Sequence, residues 1–212
     1  MANIFTGVNR LFYLIIFLLA GVGSAHAAFT PLNLVPGLPD IQSPVQIDVT
    51  YTFNAGTGIG TLSAFGGASQ LNLSSGTQAI SGGVFNLNAL IDTNTMSATG
   101  GQTINGTSNG AGGSFGDPLL TGALSQFGAG AGDPLEFLFT GLGGSTAALF
   151  GESAGVILSN SGFAGSLLAN FGTGGNFSAS ANTAAVPEPG PLAMILLSGV
   201  VMIQLSRKIN QS

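Results

Sequence analysis

The chain has 212 residues, 45% of them hydrophobic, with 35 glycines, no cysteine, no tryptophan and only 5% charged residues, far below the quarter usual in a globular domain. The net charge is -5, and the cations are Arg10, Arg207 and Lys208, so residues 11 to 206 contain no Lys or Arg at all. A phosphate-neutralising surface needs clustered cations, which excludes nucleic acid as a partner, and the lack of cysteine excludes disulfide staples, thiol catalysis and thiolate metal sites.

At the N-terminus Arg10 precedes the apolar run Leu11 to Ala20 (LFYLIIFLLA), followed by SAHAAF. A positive flank, a short apolar core and small residues at alternate positions form the layout of a signal peptide. Ala25 and Ala27 precede the expected cut, and Ala28 begins the mature chain. The apolar core is about half the length that a membrane-spanning helix needs. Residues 1–27 are therefore expected to be an N-terminal signal helix, handled by the export machinery and removed by signal peptidase. His26, the chain's one histidine, leaves with it.

Residues 28–44 contain FTPLNLVPGLPDIQSP, and prolines at this density predict an irregular leader crossing the surface. The module proper is expected over 45–183. Its clearest pattern runs from Val45 to Asn54, where Val45, Ile47, Val49, Tyr51 and Phe53 alternate with Gln46, Asp48, Thr50, Thr52 and Asn54. A period of two with β-branched and aromatic members predicts a strand with one buried face. NAGTGIG supplies a turn, and Gly60 to Phe65, Gln70 to Leu73 and Val84 to Ile91 read as further strands. In the last, Phe85, Leu87, Ala89 and Ile91 face one way, Asn86 and Asn88 the other. Weaker candidates are Met96 to Ile104, Leu119 to Phe127, Leu135 to Thr140, Ala147 to Phe150, Val156 to Leu158, Phe163 to Leu168 and Asn176 to Ala181.

Helical spacing is absent from this body, so the expected fold is all-β: a single Gly-rich antiparallel β-sandwich, jelly-roll-like. Gly116-Asp117-Pro118-Leu119 recurs as Gly132-Asp133-Pro134-Leu135, which reads as two similar turn-to-strand entries rather than as a repeat array.

Residues 28 to 185 contain no His, Cys, Lys, Arg or Trp, the groups from which most general bases and activated nucleophiles are drawn. A two-carboxylate glycosidase would need a facing pair. Asp133 with Glu136, or Asp92 with Asp117, can be named, and nothing in the spacing prefers either. No catalytic residue is expected. Calcium, which takes oxygen ligands from carboxylates, Asn side chains and carbonyls, is the one cofactor with candidates: Asp92, Asn94, Asp133 and Glu136. Neither stretch matches a known calcium loop, and turn-forming acids are the plainer reading.

Residues 184–212 form a distinct tail. Val186-Pro187-Glu188-Pro189-Gly190 precedes an apolar run, expected to be a transmembrane helix over 191–206, which ends at the basic stop Arg207-Lys208. Each proline fixes its own φ and biases the preceding residue towards extended geometry, so 186–190 should be a stiff strip that an enzyme cleft can grip. The two cations belong on the cytoplasmic side, with the body outside.

Motif, apolar segment and basic tail in this order resemble the PEP-CTERM sorting signal of exported bacterial proteins. The resemblance implies an exosortase as processing partner, a precursor held at the inner membrane through the C-terminal helix, and delivery to the cell surface or extracellular matrix of a Gram-negative bacterium that makes extracellular polysaccharide. The tail departs from the pattern in having only two cations, followed by Ile209-Asn210-Gln211-Ser212. The expected function is a noncatalytic cell-surface or extracellular-matrix protein. The alternative is a carbohydrate- or calcium-dependent binding module at the cell surface.

Overall fold

The computed structural model describes residues 29–129, 134–159, 167, 171–172 and 174–186. Strands make up 71% of them: β1 (Gly37–Asn54), β2 (Ile59–Gly67), β3 (Gln70–Leu73), β4 (Gly76–Asp92), β5 (Ser97–Gly110), β6 (Gly113–Phe115), β7 (Leu120–Gly128), β8 (Leu135–Gly143), β9 (Ser153–Ser159) and β10 (Gly174–Ala185). A four-residue helix, α1 (Ala147–Phe150), lies between β8 and β9.

All pairings are antiparallel. β1 pairs along one edge with β2 and β3 and along the other with β10. β2 and β3 follow one another in a single slot between β1 and β4, and β6 and β7 do the same beside β5. The strands therefore fill eight places around a closed β-barrel.

This corrects the expected sandwich. Alternating apolar and polar residues between Gly-rich turns look the same whether the buried face belongs to two stacked sheets or to one sheet closed on itself. Closure depends on strands long enough to coil and bent where the sheet must curve. β1 has 18 residues and β4 has 17, both longer than the runs of clean alternation suggest. β4 is interrupted between Ser81 and Val84 by Gly82, at φ 63, and Gly83, where the strand passes from pairing with β3 to pairing with β2. A bulge there sharpens the local twist. Three backbone bonds bridge the break: Ala68 N to Gly83 O, Ile80 N to Ser69 O and Ser69 N to Gln42 O.

Two further expectations change. Gly37 to Pro44, read as irregular leader, are the first part of β1 and pair with β10 and β3. Ala147 to Phe150, read as a strand, is α1. In place of the expected terminal helices, the described residues hold no helix of seven residues or more and none long and apolar enough to cross a membrane. Residues 1–27 and 191–206, where those helices were expected, lie outside the described residues, as does most of the candidate strand Phe163 to Leu168.

The barrel interior is filled by side chains, as eight strands permit. Ile47, Val49 and Tyr51 of β1, Leu62 and Ala64 of β2, Phe85, Leu87, Ala89 and Ile91 of β4, Ile104 of β5, Phe137 and Phe139 of β8, and Val156 and Leu158 of β9 are all buried. The rings of Phe127, Phe137 and Phe139 form a chain with centroids 5.1 and 6.5 Å apart. Each such side chain contributes about 1.5–3 kcal/mol by leaving water. Most exposed outward positions are polar: Gln46, Asp48, Thr50 and Thr52 of β1, Thr61 of β2, Thr99 and Thr107 of β5, and Asn176 and Ser178 of β10, with Phe65 of β2 and Leu90 of β4 as apolar exceptions. Apolar-in and polar-out is the reverse of a barrel that faces lipid.

Candidate functional site

With the β1–β2 and β4–β5 turns at the lower end, the sequence-derived candidates fall at separate places. Asp92 and Asn94 share the β4–β5 turn. Asp92 Oδ1 accepts the backbone N–H of Asn94 at 2.8 Å and of Thr95 at 3.2 Å, an Asx turn. The Asn94 N–H, with help from the Thr95 side chain, holds the Asp92 carboxyl below its ordinary value. Asn94 Nδ2 donates to Thr57 O at 2.9 Å and ties this turn to the one between β1 and β2. These atoms are committed to joining two hairpins, which is the turn-forming role. Among the described residues no group of three or more His, Cys, Asp or Glu side chains converges. Asp133 lies outside them.

The nameable catalytic pair Asp92 and Asp117 is not brought together. Asp92 sits opposite Ser97, whereas Asp117 accepts the N–H of Gly106, nine residues farther up β5, at 3.1 Å. At about 3.4 Å per residue this places them roughly 30 Å apart along the strand.

Glu136 has an employment that the sequence does not announce. Its position on β8 points outward, between the inward Leu135 and Phe137, yet it is only 4% exposed. Residues 29–36, ahead of β1, cross the outer face of the barrel as a strap and cover it. Oε2 accepts the backbone N–H groups of Leu32 at 2.6 Å and Asn33 at 3.0 Å, and Oε1 accepts that of Leu34 at 2.8 Å. Phe29 anchors the start of the strap on Phe127, ring centroids 4.9 Å apart in an edge-on contact. Three N–H donors on one carboxylate satisfy a buried charge without a cation, which a chain so poor in cations requires.

At its far end the strap comes close to Val186, the first residue of the stretch expected to be a sorting motif. Leu34 and Val186 both lie over Gly155 of β9, where a Cβ would press on each. Val186 is half-buried, and its N–H points to Ser153 O at 3.5 Å. Pro187, Glu188, Pro189 and Gly190 lie outside the described residues, as do Ala25, Ala27 and Ala28 of the expected signal cleavage site and Arg207 and Lys208 of the expected basic stop.

A groove of about 500 Å³ runs over the outer face of the barrel, across β4, β5 and β7. Register explains its shape. Asn86, Thr103 and Thr121 stand side by side in one outward row, and Asn88, Gly101 and Ala123 in the next, so the second row sinks where Gly101 carries no side chain. Gly100 must be glycine for a different reason: its φ is 148, and a Cβ would overlap the carbonyl oxygen of Asn88. Asn88 Nδ2 donates to Asn86 Oδ1 at 2.8 Å. Sequence reading assigned Asn86 and Asn88 to the outward face without seeing that Thr103 and Thr121 join them, because only register aligns residues from three strands. No protein-family model, curated protein or solved structure matches the chain.

Proposed function

We propose that the protein is a noncatalytic component of the cell surface or extracellular matrix of a Gram-negative bacterium, exported through its N-terminal signal and sorted by an exosortase acting on the Val186 to Gly190 motif. The observation that carries this reading is the position of the motif. β10 ends at Ala185 and Val186, the first residue of the motif, follows it directly and belongs to no strand. Glu188, on this reading, serves recognition of the tail and not chemistry within the barrel. The separation of Asp92 from Asp117 and the commitment of Glu136 to the strap support a noncatalytic role.

The test is to express the full chain in hosts with and without an exosortase and to compare its mass and location. The expected result is loss of the residues following the motif, with delivery to the surface, only where the enzyme is present. Retention of residues 190–212 in both hosts overturns the reading. Replacing Pro187 and Pro189 by Ala should block processing in the competent host without altering the far-ultraviolet spectrum of the barrel.

A further inference from the structure

We propose that the outer groove over β4, β5 and β7 is a binding site for a neutral glycan chain. The inference concerns the barrel alone and does not depend on how the tail is processed.

The first argument is the chemistry of the lining. Asn86, Asn88, Thr103 and Thr121 supply carboxamides and hydroxyls, and among the described residues no charged side chain lines the groove. The hydrogen bond between the two asparagines uses one donor of Asn88 and one lone pair of Asn86. It fixes both amides while leaving the Asn86 NH₂ and the Asn88 carbonyl oxygen with capacity to spare. A preset donor beside a preset acceptor matches adjacent hydroxyls, each of which both donates and accepts. An anionic polymer would find no cation here, and none exists between residues 11 and 206.

The second argument is the apolar surface beside those groups. Phe65 of β2 is 54% exposed and stands directly opposite Asn86. Leu90, 51% exposed, lies two residues beyond Asn88 on the same face of β4. Asn86 to Leu90 spans about 14 Å at the rise of an antiparallel strand, longer than one sugar ring. A pyranose ring has an apolar C–H face and a hydroxyl edge, so an exposed aromatic next to paired carboxamides offers a partner to each. Beneath the floor, Gln102 is 3% exposed and neither of its amide atoms has a hydrogen-bond partner among the described residues.

The third argument separates a glycan from a peptide. Extended peptides are commonly held by adding a strand to an open sheet edge. At the groove β4 lies between β2 and β5, β5 between β4 and β7, and β7 between β5 and β8, so the backbone donors and acceptors are spent in the barrel. The ligand must be read by side chains, which suits a chain whose own polar groups are hydroxyls.

The experiment measures binding of the full chain to dextran, cellohexaose, xyloglucan and galactomannan by affinity electrophoresis and calorimetry, with alginate and an unstructured Gly/Ser-rich peptide as the other arms. At least one neutral glycan should bind. Phe65→Ala and Asn88→Ala should each weaken it by about tenfold, the loss of roughly one good contact, and Thr103→Lys, which fills the groove from a surface position, should abolish it. Thr50→Ala, on the outer face of β1, should bind as the unaltered chain does, and melting temperatures identify any variant that fails to fold. Binding to none of the four glycans, binding only to alginate or to the peptide, or undiminished binding in folded Phe65→Ala and Thr103→Lys variants would overturn the proposal.

Discussion

Replacing Glu136 by Gln tests whether the strap is held by charge. The side chain keeps its shape, and the loss falls on the three backbone donors of Leu32, Asn33 and Leu34. In its better orientation the amide oxygen retains the two bonds now made by Oε2, without their ionic component. Its NH₂ then faces the remaining N–H, donor against donor. A hydrogen bond to a charged acceptor contributes about 1.5–3 kcal/mol, so losing one outright and weakening two should cost about 2–3 kcal/mol. For a domain of this size each kcal/mol moves the midpoint by about 2–4 °C, which gives a fall of about 4–12 °C in thermal unfolding followed by circular dichroism. Because the strap lies outside the barrel wall, it should come free before the barrel opens, and proteolytic nicking within residues 29–36 should accelerate at temperatures where the barrel signal is intact. Glu152→Gln, at an exposed position after α1, is the control and should change neither readout. A Glu136→Gln chain that melts with the unaltered protein and resists nicking equally would refute the clamp.

Tyr51→Phe removes a hydroxyl that is buried without a partner among the described residues, so urea unfolding should show stability unchanged or raised by up to about 1 kcal/mol, and a clear loss would mean the hydroxyl is satisfied after all. Burial raises the Tyr51 phenol above its ordinary value of 10.0; the unfolded chain ionises first, so stability is full below pH 10 and falls as pH rises from there through the folded value, a component that Tyr51→Phe should lack in urea midpoints taken across that window. Asp92 titrates below its ordinary value of 3.8, so its contribution is present above that value and is lost as pH falls through the lower folded one. Asp92→Ala should therefore flatten that part of the acid limb and speed amide exchange at Asn94 and Thr95, and unchanged exchange would sink the turn assignment. Gly100→Ala places a Cβ against the Asn88 carbonyl at a φ of 148, and strain of this kind costs about 1–3 kcal/mol; a melting temperature equal to that of the unaltered chain would contradict it.

Most of the barrel wall is legible in the sequence, because burial follows alternation wherever a strand has one wet face. Ile47, Val49 and Tyr51 on β1, and Phe85, Leu87, Ala89 and Ile91 on β4, are inside as their spacing predicts. What alternation cannot convey is which strand closes the sheet. Gly37 to Ser43 pair with residues 181–185, a contact across almost the whole module, and prolines at 36, 39 and 44 mask the strand locally. The candidate site was illegible for the same reason. Thr103 and Thr121 are ordinary outward residues until register sets them beside Asn86, and Glu136 is an ordinary outward acid until the strap folds back over it. Asp92 and Asn94 were visible as a pair, and the structure places them in one turn, where Asp92 Oδ1 accepts two backbone N–H groups.

Closure through β1 and β10 sets a limit on where the tail can be removed. The barrel needs its last strand: β10 joins β9 through residues 180–185 and β1 through residues 174–185, and Ala181, Thr183 and Ala184 are buried. A contact between the two ends of a module closes a long loop before it gains anything, and the pairing along the seam must offset that cost. Val186, the first residue of the motif, lies beside Gly155 as Leu34 does and adds a weak bond to Ser153. A chain ending after Val186 should therefore unfold with the same cooperativity and nearly the same midpoint as the full chain. One ending after Ser178 deprives β9 of its partner, opens β1 from Gly37 to Ile47, and should give an aggregating species without a sharp transition. If the two truncations behaved alike, the seam would not be what holds the barrel shut. If they differ as argued, any enzyme that cuts at or beyond the motif leaves the folded barrel intact.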